Sequence, residues 1–237
     1  MDGKPEENNP GEMFRAASRH ERICWRPWPC PKCCGGITPI SHLFSRLSTG
    51  AIFPRSTPEE IAAVQTAQLQ EWASSCVHEW QSEIFLPKLA EESEHLVFLD
   101  SEKALVYKVT RPGIFGESYY LVDGVVHQRN CSPLDYLLRL RFWKKVFGSS
   151  PKDFGITNLG QIVSVHEFIS GTAPTQEEVD GFLDRSGFKP VRRNCWLWKS
   201  TFDEFEIWVG DARRDNFVKT TTEIVPIDLR IWFEDRS

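Results

Sequence analysis

The sequence predicts an α+β fold, and three observations carry that prediction. Two short apolar runs, HLVFLD (95–100) and ALVYKVT (104–110), flank the polar turn Ser101-Glu102-Lys103 and read as a strand pair. Helix-period stripes stand at 57–84, 133–146 and 174–186, and the strand-like runs are scattered among them without regular βαβ alternation. The 237 residues are 41% hydrophobic and 12% aromatic, with nine Trp, which is enough apolar surface for a packed core.

Residues 1–12, rich in Pro, Gly, Asn and Glu, read as a disordered tail. A Cys/Pro-rich segment spans 13–56, and a helical extension is expected over 57–93. Thr57 can cap that helix, Pro58 suits its first turn, and Glu59 and Glu60 complement the positive dipole end. Leu69, Trp72, Cys76, Trp80 and Ile84 share one helical face, and Pro87 should end or bend it. A further hairpin is predicted from 118–122 and 124–128 around Asp123-Gly124. PLDYLLRLRFWKKV (133–146) reads as a helix, QIVSVHEFI (161–169) as a buried strand, and 174–186 as a helix closed by Gly187. Apolar runs at 195–198, 205–209 and 224–227 follow, the last ending at Asp228.

The net charge of −5 removes any global reason to expect a nucleic-acid or anionic-membrane partner. No run of about 18 apolar residues is present, so no membrane span is expected. The polar, acidic start does not read as a secretory signal, and seven unevenly placed Cys do not suggest a disulfide framework; a cytoplasmic, reducing location is expected. Cys76, Cys131 and Cys195 lie in apolar surroundings and read as core thiols. His42, His78, His95, His127 and His166 are scattered and receive no role.

The chemistry is concentrated in GDARRDNFV (210–218) and IVPID (224–228). Phosphoryl transfer asks a protein for oxygen ligands to magnesium and a carboxylate that orients the attacking hydroxyl. Asp211, Asn216 five residues later, and Asp228 at a strand end have the order that protein kinases use for those tasks. Arg213 stands two past Asp211, where such enzymes carry a cation for the transferred phosphate. Asp and Asn also favour turns, so the pair alone reads first as turn chemistry, and the apolar strand before it and PID after it are what raise the catalytic reading. Lys108 sits inside an apolar strand; Val106, Lys108 and Thr110 face one side, and Leu105, Tyr107 and Val109 the other. Its expected acidic partner is Asp135 in the next helix, with Glu117 as runner-up.

These residues together resemble the serine/threonine/tyrosine kinase domain of bacterial polyvalent proteins of mobile elements. The likeness covers about Glu94 to Trp232. It is carried by EHLVFLD (94–100), VYKVT (106–110), RPGIFG (111–116), SPLDYLLRL (132–140), EFISGTAPTQEEV (167–179), GDARRDNF (210–217) and VPID (225–228). More distantly, GD…N…ID is similar to the catalytic segment of aminoglycoside phosphotransferases. The resemblance implies a compact two-lobed protein-kinase-like fold over 94–237, with a small antiparallel N-lobe sheet and a reduced C-lobe. It also implies ATP and Mg2+ as cofactors and a protein substrate. Lys108 would hold phosphates, Asp211 would orient the hydroxyl, and Asn216 and Asp228 would ligate Mg2+. Glu167, Phe168 and Ile169 would form the linker that meets adenine. The sequence departs from the kinase pattern where a glycine-rich loop would precede Lys108, since 91–96 is EESEHL. Two other functions stay open: a small-molecule phosphotransferase, with Asp203, Glu204 and Glu206 facing a cationic substrate, and a non-catalytic pseudokinase module.

His20, Cys24, Cys30 and Cys33, with Cys34 in reserve, offer a structural Zn2+ set around one CxxC step. A reduced cysteine cluster without metal is the alternative reading.

Overall fold

Strand β1 (His20–Trp28) is followed by helix α1 (Pro58–Ser75) and strands β2 (Ser82–Glu91), β3 (His95–Asp100) and β4 (Leu105–Thr110). A hairpin of β5 (Glu117–Val122) and β6 (Val125–Asn130) leads into helix α2 (Pro133–Phe147), then β7 (Asp153–Thr157) and β8 (Ile162–Glu167). Helix α3 (Gln176–Arg185) opens the remainder: β9 (Lys189–Pro190), β10 (Trp198–Phe202), β11 (Phe205–Gly210), β12 (Phe217–Lys219), β13 (Ile224–Pro226) and β14 (Arg230–Asp235). The structure is a computed structural model that describes residues 20–28, 57–75, 82–122, 125–149, 151–157, 159–191, 196–202 and 205–235.

The first half is an antiparallel sheet in the order β2-β3-β4-β8-β7, and β1 pairs with both β2 and β7, closing it into a barrel. Closure leaves neither outer strand with a bare ladder edge. Period-two alternation sorts the side chains as the sequence predicts. Tyr107 and Val109 pack with Leu86, Phe98, Val163 and Val165 on one face, while Lys108 lies opposite Val97 and Ser164 on the other. The second half is a smaller antiparallel sheet, β14-β11-β10-β9, beside the β12/β13 hairpin.

Helix α2 joins the two halves. Tyr136, Leu137 and Leu140 enter one core with Leu69, Phe115 and Ile156; Trp143 enters a second with Val179, Leu183, Val209 and Ile231. Its ends are fixed by local chemistry. Ser132 and Asp135 form a reciprocal capping box, Pro133 occupies the first turn, and Gly148 closes the helix at φ 73°. Helix α1 starts likewise, with Glu60 N donating to Thr57 Oγ1 at 3.2 Å and Thr57 N to Glu60 Oε2 at 2.8 Å.

The mixed α+β class holds. The helical extension over 57–93 does not hold throughout: helix covers Pro58–Ser75, while Ser82–Glu91 is a strand of the sheet. Ile84-Phe85-Leu86 is a continuous apolar run that satisfies either period, and pairing with β1 decides it, with β3 pairing the strand's end from Lys88. Pro87 is accommodated near a register shift between Lys88 and Ala90 instead of ending a helix. The tail at 1–12 and most of the segment 13–56 lie outside the described residues, as do Cys76 and Cys195.

A buried ion pair ties α2 to the sheet. Arg139, 7% exposed, binds Glu94 through both carboxylate oxygens and stacks 4.6 Å from the Tyr136 ring. Gly116, at φ +83°, passes so close to Glu94 that any Cβ there would overlap its carboxylate. Removing one partner strands the other charge in the interior. Arg139→Met should therefore destabilise the chain by about 3–5 kcal/mol, and Glu94→Leu in the same background should recover a large part of that loss. Urea unfolding of the single and double variants measures both.

Candidate active site

Lys108 sits mid-strand on β4, on the sheet face turned towards α2. Its Nζ donates to the Ile227 carbonyl at 3.0 Å and lies 3.0 Å from Asp228 Oδ1. His95 and His166 belong to the same face, since His95 pairs with Thr110 and His166 with Val106. His95 Nε2 meets the Tyr136 hydroxyl at 3.0 Å, and His166 Nε2 meets Ser164 Oγ at 3.0 Å.

The segment that carries the acids is knotted locally. Asp211 follows β11 with a left-handed φ of +58°, a conformation that Asp tolerates better than most residues. Asn216 Nδ2 donates to the Asp211 carbonyl at 2.7 Å, and the Asn216 carbonyl accepts from Ile227 N at 2.9 Å and Asp228 N at 3.4 Å. Asn216 thus joins Asp211 to Asp228 through its own side chain and backbone. Helix α3 braces the loop, because Gln176 Nε2 donates to the Ala212 carbonyl at 3.0 Å and Gln176 Oε1 accepts from Arg214 N at 3.1 Å. Arg213 Nε donates to Asp211 Oδ1 at 2.7 Å, so this cation holds the carboxylate directly.

Glu92, in the turn between β2 and β3, joins this group. One carboxylate oxygen each from Glu92 and Asp228 and a ring nitrogen of His95 lie within 4.8 Å of one another, an arrangement able to hold a divalent cation. Burial would raise Asp228, but Lys108 and then His95 hold it well below the usual carboxylate range. Desolvation of the Glu92 carboxyl end, then the Asp228 charge, push Glu92 up to about 7, although the residue as a whole is exposed. Burial lowers His95 to about 4 and His166 to about 3, so both rings are neutral near pH 7.

Lys108, Asp211, Asn216 and Asp228 are thus drawn into one connected set. Asp135 is not the partner of Lys108: its carboxylate accepts from Ser132 N at 2.9 Å and lies 3.9 Å from Arg129. A first-turn acid at the capping-box position is held by its own helix start. Glu117 is also elsewhere, 2.5 Å from Arg230. Asp228 itself is the acid beside Lys108. Glu167 pairs with Lys152 at 2.6 Å, and Phe168 N donates to Ala104 O at 2.8 Å, which narrows what that linker can offer a ligand; Ile169 follows, half-buried. Glu206 pairs with Lys199 at 3.3 Å, while Asp203 and Glu204 lie outside the described residues. His20 and Cys24 fall four apart on β1; Cys30 and Cys33 lie outside the described residues. Cys131 is a buried free thiol, pushed up to about 11 by burial, as a core thiol should be.

Sequence reasoning missed Glu92, Glu94, His95, Tyr136 and Arg139. A usable signal existed for His95. With the 95–100 and 104–110 strands paired across their short turn, His95 must share a face with Lys108.

The two buried histidines make stability fall with acid. Their folded pKa values lie below the unfolded value near 6.5, so the contribution is complete above that pH and is lost as pH falls towards 4 and 3. Each group changes stability by about 1.4 kcal/mol per pH unit inside its window. Glu92, raised, acts in the opposite sense between its unfolded pKa and about 7, so the comparison between two proteins is the clean measure. Between pH 6 and pH 4.5, His166→Gln should lose clearly less stability than wild type in urea unfolding; identical losses would contradict the burial argument.

No family model matches the chain, and no curated protein or solved structure matches it.

Proposed function

We propose that this chain is an ATP- and Mg2+-dependent phosphotransferase of two-lobed, protein-kinase-like fold that phosphorylates a Ser, Thr or Tyr hydroxyl on a protein. The observation that carries the reading is the contact of Lys108 with Ile227 and Asp228, formed beside the Asp211–Asn216 clip. The strand order β2-β3-β4-β8-β7, with α2 inserted between β4 and β7, is in keeping with a kinase N-lobe, and β9 to β14 would be the reduced C-lobe.

The residues fit magnesium. Asn216 has its amide nitrogen committed to Asp211 O, which leaves its amide oxygen as the donor, and Asp228 keeps a side chain one-third exposed. Both are hard oxygen ligands, and Glu92 adds a second carboxyl at the rim. When bound, the metal supplies charge neutralisation for the phosphates of the donor. Lys108 would hold those phosphates from the sheet side. Asp211, fixed by Arg213, would accept the proton of the attacking hydroxyl. The absent glycine turn puts Glu92 where backbone amides would cradle phosphate, and this favours one alternative: a nucleotide-binding module without turnover. No such feature favours the aminoglycoside-type alternative, because Glu206 is already paired with Lys199.

Purified chain incubated with γ-labelled ATP, Mg2+ and a protein mixture should transfer label, and EDTA should abolish the transfer. Asp211→Asn and Asp228→Asn should each lower the rate by about 100-fold or more. Wild type and Asp211→Ala being equally inert would rule out the enzyme. Mg2+-dependent ATP binding that survives in that inert protein and is lost in Lys108→Ala would leave the binding module.

A further inference from the structure

Beyond the phosphate-holding group, Asp211 also borders a separate cavity of about 320 Å³. Its walls come from Tyr119 and Val126 on the β5/β6 hairpin and from Val191, Trp196 and Leu197 beside the second sheet. We propose that this cavity is the acceptor subsite and that it takes a phenolic side chain, a tyrosine of the substrate protein. The inference rests on the phosphotransferase reading and names its substrate class.

Three observations point to a single aromatic ring. The volume lies at the small end of the range for ligand pockets, roughly 300–1,000 Å³, so a fused or multi-ring sugar is disfavoured. The walls are aliphatic and aromatic, and Asp211 is the one charged lining residue. A polycationic aminoglycoside would need several carboxylates there. The ring of Tyr119 is pre-positioned: its hydroxyl accepts from Arg230 Nη1 at 2.8 Å, and its ring lies 4.8 Å from that of Trp232. Trp196, 43% exposed, stands at the mouth as a second flat surface. A serine or threonine side chain is too short to fill these walls while its hydroxyl reaches Asp211.

The chemistry closes at one atom. Among the described residues only Arg213 hydrogen-bonds the Asp211 carboxylate, and it uses Oδ1, leaving Oδ2 for the phenol proton. The phenolic oxygen bonds to the γ-phosphorus of ATP as the bond from that phosphorus to the β,γ-bridging oxygen breaks. ADP leaves with the electron pair, and the proton passes to Asp211 and then to solvent.

The test uses the full chain and two probes, N-acetyltyrosinamide and N-acetylserinamide, followed by indole fluorescence and saturation-transfer NMR. The tyrosine probe should saturate and bind at least about tenfold tighter than the serine probe, and Val126→Asp and Trp196→Ala should each weaken it by about tenfold. Thermal unfolding of both variants serves as the fold control; Trp196→Ala, altering an exposed side chain, keeps the test open if Val126→Asp does not fold. Equal binding of the two probes, no saturable binding, or wild-type affinity in a folded variant overturns the assignment. With γ-labelled ATP, a tyrosine peptide should be labelled at least about tenfold faster than its serine counterpart. Equal labelling overturns the phenol subsite but leaves the phosphotransferase. Tight tyrosine binding with no labelling of any acceptor overturns the phosphotransferase and leaves the phenol pocket.

Discussion

The contact between Lys108 and the Ile227–Asp228 segment is the constraint on which the other features depend. It joins residues 119 positions apart in sequence, one on the barrel and one at the end of the β12/β13 hairpin. An ammonium group with little exposed surface needs both a charge partner and hydrogen-bond acceptors, and Asp228 and the Ile227 carbonyl provide them. Because Asn216 binds the backbone of both Ile227 and Asp228 while its side chain holds Asp211, fixing Lys108 also fixes Asp211. Helix α2 makes that contact repeatable. With side chains in both cores, it sets the distance between the two halves through packing alone.

Closure of the barrel serves the same end. A strand whose ladder is open on one side can twist or slip, and a slip of one residue would turn Lys108 to the opposite face. Here β4 is central, paired to β3 and β8, and the outer strands are tied to one another by β1. Lys108 is therefore aimed by a ladder with no free edge. Arg139 and Glu94 extend this control to α2, bringing Tyr136 onto His95 beside the same lysine.

Much of this was legible in the sequence because local rules and tertiary structure agree there. The alternation of 104–110 put Lys108 on the correct face, and the apolar stripe from Pro133 and the Gly187 stop marked α2 and α3 where they occur. Asp211, Asn216 and Asp228 were legible as an ordered set, although their convergence was not, since it depends on backbone bonds across a hairpin. Failures came where one residue has two adequate local explanations. Asp135 was read as the partner of Lys108, though a first-turn acid also suits its own helix start, and the cap wins because it is already complete within four residues. Ser82–Glu91 fitted helix or strand until β1 and β3 supplied a ladder. Glu92 was read only as part of a missing glycine loop, because nothing local foretells a carboxyl carried against Asp228.

Charge balance explains why Glu92 differs from its neighbours. Two cations, Lys108 and Arg139, face three carboxyl groups, on Asp228, Glu94 and Glu92, and the two histidines are neutral near pH 7 and add no positive charge there. Burial opposes ionisation of all three acids, yet Lys108 holds Asp228 down and Arg139 holds Glu94 down. Glu92 has no such cation to itself, so desolvation and then the Asp228 charge push it up to about 7. A dication entering between Asn216, Asp228 and Glu92 would supply the missing positive charge and oppose that shift. The turn that replaces a glycine loop would then compensate in part for the amides it lacks. It would contribute a carboxylate that a bound dication would ionise more fully.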